Sequence, residues 1–251
     1  METCTGWRDM SPEERDAFFT VHRDLPREGP GEAADVRWAL DQLGLSGPID
    51  VLDAACGPGA DLVELADALP QARIMGMELV PHFVAAAQAR VADYSDRVTA
   101  IEADMRTLDS TYDLIWCAGA LYFLGVTEGL QGWRSALKDG GAVVFSEPVL
   151  LGSPPSDATL AFWAEYPQIT DLDGIIARVS AAGYRVQGHR MIVGAPWRSY
   201  FTPLQARIDM LRGQSPDAAL GAALDENQLE IDRWHAAPDD IAYALLIAVP
   251  E

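Results

Sequence analysis

The residues best placed to do chemistry form one run, Val51-Leu52-Asp53-Ala54-Ala55-Cys56-Gly57-Pro58-Gly59. It reads as a short apolar strand tipped with an acid, then a Gly-x-Gly turn into a helix. In open α/β sheets, ligands bind outside the carboxyl ends of the strands. Glycines there let the backbone approach a ligand with no Cβ in the way. Glu78 closes the next apolar segment, Ile74-Met75-Gly76-Met77-Glu78. At about twenty residues past the glycine turn, its carboxylate can accept hydrogen bonds from both hydroxyls of a ribose. Asp104 follows a third segment in Glu102-Ala103-Asp104-Met105. Its carboxylate can accept from an adenine amino group, while Met105 offers its backbone N–H and an apolar side chain to the ring. The fourth segment is Tyr112 to Cys117, and the small residues Ala118-Gly119-Ala120 after it leave room for a reacting group.

Two ligand classes compete for such a glycine turn. A dinucleotide site wants G-x-G-x-x-G, whose last glycine lets helix and strand pack closely. Here that position is Leu62. The anion at Asp53 also disfavours a pyrophosphate and suits a ligand with an ammonium group. S-adenosylmethionine carries an ammonium on its amino-acid end and no phosphate. Glu78 serves either ligand and does not separate them.

Four residues are candidate bases: His22, Tyr122, Glu147 and His189. His22 precedes the loop Leu25-Pro26-Arg27-Glu28-Gly29-Pro30-Gly31, which is able to fold over a ligand as a lid, although an isolated histidine at a helix end is more often a surface residue. Glu147 follows the fifth strand on the ligand side of the sheet, and a glutamate there is commonly solvated. Tyr122 has an apolar ring and a polar tip, so a core role competes with a catalytic one. For His189, on the sixth strand, packing is the expected role. Trp163, Tyr166, Trp197, Tyr200 and Phe201 follow the fifth strand, where an acceptor site would be built. Such rings beside Glu147 or Glu165 would suit an amine, though large aromatics mostly fill cores.

These residues need elements to hold them. Ser11-Pro12-Glu13-Glu14 is a helix start, with a capping serine, proline at the first position and Glu14 three residues on. That helix runs to about Val21, and a second spans Glu32 to Leu43 and stops at Gly44. From Ile49 strands and helices alternate: strands over 49–54, 73–78, 98–103, 113–117 and 142–146, helices over 61–69, 81–92 and 125–137. Short apolar strands alternating with helices imply a parallel sheet covered on both faces. Between Leu151 and Thr170 the prolines predict a loop and a short helix. A helix over 172–182, a strand over 184–191, helical spacing over 197–211 and a last apolar strand over 241–249 complete the chain, the two late strands fitting a hairpin.

Composition narrows the partners. The chain has 251 residues, 49% hydrophobic and 22% charged, enough for one domain with a full core. Acids outnumber Lys plus Arg 38 to 18, and the formal charge is −20. Such a surface repels a phosphate backbone, which argues against nucleic acid. Cys4, Cys56 and Cys117 are too few and scattered for a disulfide framework or zinc site. Cys56 and Cys117 fall at strand ends and read as buried thiols. No apolar run reaches the ~20 residues of a membrane span, and the first 24 residues lack a secretory pattern. A cytoplasmic location is expected.

The run from Val51 to Glu147 resembles the nucleotide-binding core of the class I S-adenosylmethionine-dependent methyltransferases. Asp53 to Gly59 matches their first motif, with Ala54-Ala55 replacing the commoner glycine after the acid, while Glu78 matches the ribose acid and Asp104 the adenine acid. Leu25 to Gly31, Glu165-Tyr166-Pro167 and Trp197 to Leu204 resemble a bacterial small-molecule subgroup, so the similarity reaches to about Arg212. The resemblance implies a Rossmann-like seven-stranded α/β sheet in the order 3-2-1-4-5-7-6, with the seventh strand antiparallel and helices on both faces. It divides one domain into a helical cap (1–45), a cofactor core (46–150) and an acceptor-side region with the closing strands (151–251). Cofactor contacts are expected at Asp53, Ala54, Gly57, Gly59, Glu78, Leu79, Asp104, Met105, Cys117 and Ala118. Catalytic residues are expected among His22, Tyr122 and Glu147, and acceptor contacts at Trp163, Tyr166, Trp197 and Tyr200. The implied cofactor is S-adenosyl-L-methionine, yielding S-adenosyl-L-homocysteine, with a small N, O or S nucleophile as acceptor. No metal, nucleic acid or membrane is expected, and monomer and homodimer stay open. The competing readings are a cofactor-binding module without turnover and an NAD-dependent oxidoreductase.

Overall fold

Short, nearly continuous apolar runs build the sheet, as expected of strands covered on both faces. In the computed structural model, which describes residues 10–251, Cys4 lies outside the described residues. The strands are β1 (Asp50–Ala54), β2 (Arg73–Glu78), β3 (Val98–Glu102), β4 (Tyr112–Ala118), β5 (Leu137–Leu150), β6 (Tyr184–Ile192) and β7 (Ile241–Pro250). They form one sheet ordered β3-β2-β1-β4-β5-β7-β6, as expected. The first five are parallel, and β7 runs antiparallel to both β5 and β6.

Successive side chains of a strand point to opposite faces, and both faces here are buried. Val51, Leu114, Trp116 and Leu245 join the core on one side, and Leu52, Ile115, Cys117 and Leu246 the core on the other. Each fully buried Leu, Ile or Val stabilises the fold by about 1.5–3 kcal/mol. Helices α2 (Ala33–Leu43), α3 (Ala60–Ala68) and α4 (Pro81–Arg90) pack on the first face, with α8 (Ala195–Arg212) and α9 (Ala218–Ala236) contributing to the same core. On the second face lie α5 (Val126–Trp133) and α7 (Leu172–Ala181). Helix α1 (Pro12–His22) packs against α8 and α9, and the short α6 (Asp157–Phe162) also meets α9. The start of α1 carries the expected capping box: Glu14 N–H donates to Ser11 Oγ at 3.3 Å, and Ser11 N–H to Glu14 Oε2 at 2.8 Å. None of the described helices is long and apolar enough to cross a membrane.

Leu62, where a dinucleotide fold would place its third glycine, finds its room elsewhere. A Cβ on Gly76 of β2 would stand 2.7 Å from Leu62 Cδ1 and 2.8 Å from Cys56 Sγ. The glycine has moved from helix to strand, and α3 still packs tightly.

Two elements differ from the sequence reading. Strand β5 does not stop at Ser146: pairing with β7 continues through Glu147, Pro148, Val149 and Leu150. It also starts early, at Leu137, so Lys138 to Gly141, between the helix expected over 125–137 and the strand expected from Ala142, belongs to the strand. Helix α9 has no counterpart in the reading; Asp217 caps it, accepting from Leu220 N–H at 2.9 Å.

Candidate functional site

The first turn is held by its neighbour strand. Asp53 and Ala54 end β1, Ala55 and Gly57 adopt positive φ, and Gly59 (φ 84°) starts α3. A Cβ at Gly59 would lie 3.0 Å from Ala87 Cα of α4, so only glycine fits this approach comfortably. Glu78 reaches back across: its Oε2 accepts from Gly57 N–H at 3.0 Å, and its Oε1 from the N–H groups of Leu79 at 2.7 Å and Val80 at 2.8 Å. Two carboxylate oxygens offer about four acceptor positions, so capacity remains for a ligand. Glu78 therefore clamps the turn as well as facing the cavity. Burial pushes its carboxyl above the usual range, against the pull of these three N–H groups.

A cavity of about 160 Å³ opens at this end of the sheet, lined by Asp53, Gly57, Asp61, Glu78 and the stretch 118–120. Asp53 is 2% exposed and its Oδ2 has no hydrogen-bond partner. Burial raises its carboxyl well above the usual range, Asp61 and Glu78 raise it further, and Arg27 opposes them. An unpaired buried carboxyl is costly unless a cation or donor meets it.

The roof of the cavity comes from the N-terminal segment: Phe18, Phe19, Arg27, Glu28, Gly29 and Pro30. Arg27 Nη2 holds Asp61 Oδ1 at 2.7 Å, and Trp116 Nε1 donates to Asp61 Oδ2 at 2.9 Å. Arg27 also donates to the Gly31 carbonyl. Glu28 Oε2 lies 2.7 Å from His22 Nδ1, and Glu28 Oε1 is without a partner. Burial raises Glu28, while His22 pulls it down. His22 is not a surface histidine: it is 4% exposed, stacks on Phe18 at 4.2 Å, and its Nε2 meets Asn227 Oδ1 of α9 at 3.1 Å. The unforeseen α9 is what buries it.

A second cavity, about 320 Å³, shares Phe18 with the first. It is lined by His22, Trp163, Tyr166 and Tyr200 of the expected set, together with Glu165 and the α9 residues Glu226, Asn227, Glu230 and Arg233. Trp197 stands apart: it is 2% exposed, donates to the Ile192 carbonyl at 3.0 Å, and belongs to the core.

Glu147 is not solvated. Because β5 runs on, its side chain is fully buried, and Oε1 accepts from Tyr166 Oη–H at 2.8 Å while Oε2 has no partner. Burial pushes its pKa up to about 7. The Tyr122 ring lies 5.7 Å from that of Tyr166. His189 does not pack inside; it is exposed on the edge strand β6.

Of the remaining expected cofactor residues, Ala54, Gly59, Leu79, Asp104, Met105 and Cys117 are not among those lining the first cavity. Ala118 lines it. Ala54 and Cys117 are buried in the sheet, and burial raises the Cys56 and Cys117 thiols well above the usual range. Asp104 and Met105 follow β3 outside the cavity lining; Asp104 pairs with Arg106 at 3.0 Å, and the Met105 carbonyl accepts from Trp133 Nε1 at 2.7 Å. No group of three or more potential metal ligands occurs among the described residues. A larger cavity, about 640 Å³, lies at the opposite, amino end of the strands, among Asp50, Arg73 and Lys138.

Arg27, Glu28, Asp61 and the α9 residues were missed as site residues by sequence reasoning. The signal for Arg27 and Glu28 was present, since they occupy the Pro/Gly loop read as a lid. Asp61 had only its place in the first helical turn after the glycines.

Residues 51–141 match the model of a methyltransferase domain. A ubiquinone/menaquinone biosynthesis C-methyltransferase of Syntrophotalea carbinolica is 29% identical over 126 residues, 45% of this chain and 52% of that one. A trans-aconitate 2-methyltransferase of Streptomyces avermitilis is 32% identical over 112 residues, 43% of this chain and 42% of that one. The chain thus spans about half the length of the curated relatives it matches. Among solved structures, an S-adenosylmethionine-dependent methyltransferase from Geobacter sulfurreducens, in complex with S-adenosyl-L-homocysteine, aligns with a TM-score of 0.81 at 19% identity. That alignment covers 94% of this chain and 98% of the other, and shows a shared fold.

Proposed function

We propose, from the premise that this chain belongs to the class I S-adenosylmethionine-dependent methyltransferase family, that it transfers a methyl group from S-adenosylmethionine to a small-molecule acceptor. The observation that carries this reading is the unpartnered, buried Asp53 carboxyl facing a cavity crowded with Asp61, Glu78 and Glu28 against Arg27 alone. Four carboxyls around one guanidinium favour a ligand that brings positive charge. They disfavour a pyrophosphate, and no observation favours a nicotinamide dinucleotide.

The bound donor supplies an electrophilic methyl on a sulfonium, whose departure leaves a neutral thioether. Asp53 receives the ammonium of its amino-acid end, with Gly57 letting the backbone come close and Gly59 letting the start of α3 sit against α4. Glu78 accepts from the ribose hydroxyls with its free lone pairs. Asp104 and Met105 border the adenine; the bond from Ala103 N–H to the Glu78 carbonyl, 2.9 Å, sets them beside the ribose acid. Ala118, Gly119 and Ala120 leave space next to the sulfur. Phe18, Phe19 and the loop 27–30 exclude water, and alignment with desolvation then provides most of the acceleration. The acceptor enters from the cavity behind Phe18, where Tyr166, Trp163, Tyr200 and His22 form walls. Glu147 orients the Tyr166 hydroxyl. The net charge of −20 supports a small acceptor over nucleic acid.

Thermal unfolding with added ligands tests the reading. S-adenosylhomocysteine at about 100 times its Kd stabilises by about 2.7 kcal/mol, which raises Tm by about 5–10 °C for a chain of this length. NAD at the same concentration leaves Tm unchanged. Stabilisation by NAD alone would overturn the assignment.

A further inference from the structure

The second cavity has a charge pattern that donor binding does not use. Glu226, Glu230 and Arg233 follow one another at i, i+4 and i+7 on α9, so they share the helix face turned to the cavity. With Glu165 opposite, three glutamates face one guanidinium, Arg233, and the ring of His22. The other walls are aromatic: Phe18, Phe162, Trp163, Tyr166 and Tyr200. The volume, about 320 Å³, falls at the lower end of the ~300–1,000 Å³ range of small-ligand sites.

We propose that this cavity binds the methyl acceptor as an amine on a ring-sized apolar body, its nitrogen drawn to Glu226 and Glu230 and its ring packed among the aromatic walls. The proposal rests on the methyl-donor reading and extends it to the acceptor. Three features lead there. Phe18 is common to both cavities, so a molecule in the second is one side chain from the first. Aromatic faces and carboxylates together attract a cation, by the ring quadrupole and by charge. A carboxylate acceptor would instead face three glutamates with one arginine to offset them. Glu230 agrees: partial burial pushes its carboxyl up to about 7, with His22 and Arg233 opposing and Glu165 and Glu226 adding to the rise, so a cation there would meet an excess of acids. In the reaction the amine binds as ammonium and sheds one proton to solvent. Its lone pair forms the new C–N bond, the S–C pair leaves with sulfur, and the methylated nitrogen departs as an ammonium.

Initial rates of S-adenosylhomocysteine formation with matched probes test this: phenethylamine and tryptamine against phenylpropionate, indole-3-propionate and phenylethanol. The amines are expected to turn over at least about tenfold faster, the order of one displaced charge interaction. The double variant Glu226→Gln/Glu230→Gln is expected to raise KM for the amines about tenfold or more, again by loss of a charge interaction, and to keep the wild-type affinity for S-adenosylhomocysteine, which also shows that it folds. A second readout is calorimetric binding of phenethylamine to the protein saturated with S-adenosylhomocysteine, weakened in the same variant. Faster turnover of the carboxylates or the alcohol, an unchanged amine KM in the variant, or no amine turnover and no amine binding in a protein that binds S-adenosylhomocysteine each overturn the acceptor class and leave the donor reading standing. Failure to bind S-adenosylhomocysteine overturns the donor reading itself, and the acceptor proposal with it.

Discussion

The two ends of the same sheet treat their acids in opposite ways. At the amino end, Asp50 accepts from Arg73 Nε at 2.8 Å and from Lys138 Nζ at 2.5 Å, and Lys138 also holds Asp113 at 2.7 Å. Hydrogen bonds from Arg73 and Lys138 hold the Asp50 carboxyl below its usual range. At the carboxyl end, Asp53, Glu28, Glu78 and Glu147 are each raised, with burial the largest cause. The larger cavity belongs to the paired end and the smaller one to the unpaired end. Volume alone would therefore choose the other end. Acids already matched to cations tie strands together, whereas buried acids short of cations mark where a cationic ligand belongs.

Substitutions at each end sharpen the contrast. Glu78→Ala has the largest expected effect. It removes the proposed ribose acceptor and leaves the Gly57, Leu79 and Val80 N–H groups without theirs, so affinity for S-adenosylhomocysteine is expected to fall about 100-fold or more and unfolding free energy to drop by about 1–3 kcal/mol. Calorimetry and urea titration measure the two. Retained affinity would break the assignment of Glu78.

Glu147→Gln comes next. The folded carboxyl keeps its proton up to about 7, whereas its ordinary value is 4.5. The folded state thus binds more protons between those values, and this group makes stability fall as pH rises through that window and level off above it. Glutamine removes the dependence, leaving the variant more stable than wild type at pH 8 by at most about 3 kcal/mol, less whatever the Tyr166 bond loses. Parallel pH–stability curves for the two proteins would contradict this.

Proton linkage gives a smaller effect. The Asp53 carboxyl is raised in the free protein, and a ligand ammonium favours its charged form. Binding then releases protons, and affinity for S-adenosylhomocysteine rises with pH by up to about tenfold per unit for one proton. Titrations in two buffers of different ionisation enthalpy count those protons, and proton uptake would reverse the sign. Smallest is Lys138→Ala. Its partly exposed pairs are worth about 0–1 kcal/mol, reduced further by salt, and ligand affinity is unchanged. A loss of affinity there would erase the difference between the two ends.

Much of this was legible in the residues. The alternating short apolar runs gave the parallel sheet, the family resemblance implied the strand order, and Asp53, Glu78 and 118–120 reach one cavity because strand ends converge there. Glu147 was misjudged because the fifth strand was ended at Ser146, one residue short of it. Proline is tolerated in strands where no ladder N–H is needed, and β7 continues the pairing past Pro148. The burial of His22 was illegible because α9, 205 residues away at Asn227, supplies it. Long-range partners leave no local pattern, and α9 itself, rich in alanine and in polar residues, shows little periodic contrast. Trp197 has the composition of a binding-site aromatic, and only the packing of α8 decides that it faces inward.

Calorimetric titration of S-adenosylhomocysteine into the purified, ligand-free protein and into Asp53→Asn asks whether Asp53 receives the ammonium of the ligand. Saturable binding to the wild type is expected, weakened at least about 100-fold in the variant because the ammonium loses its charged partner, with the free variant as stable as the wild type or more so. Equal affinity in the two proteins, or no heat with the wild type, would contradict that assignment.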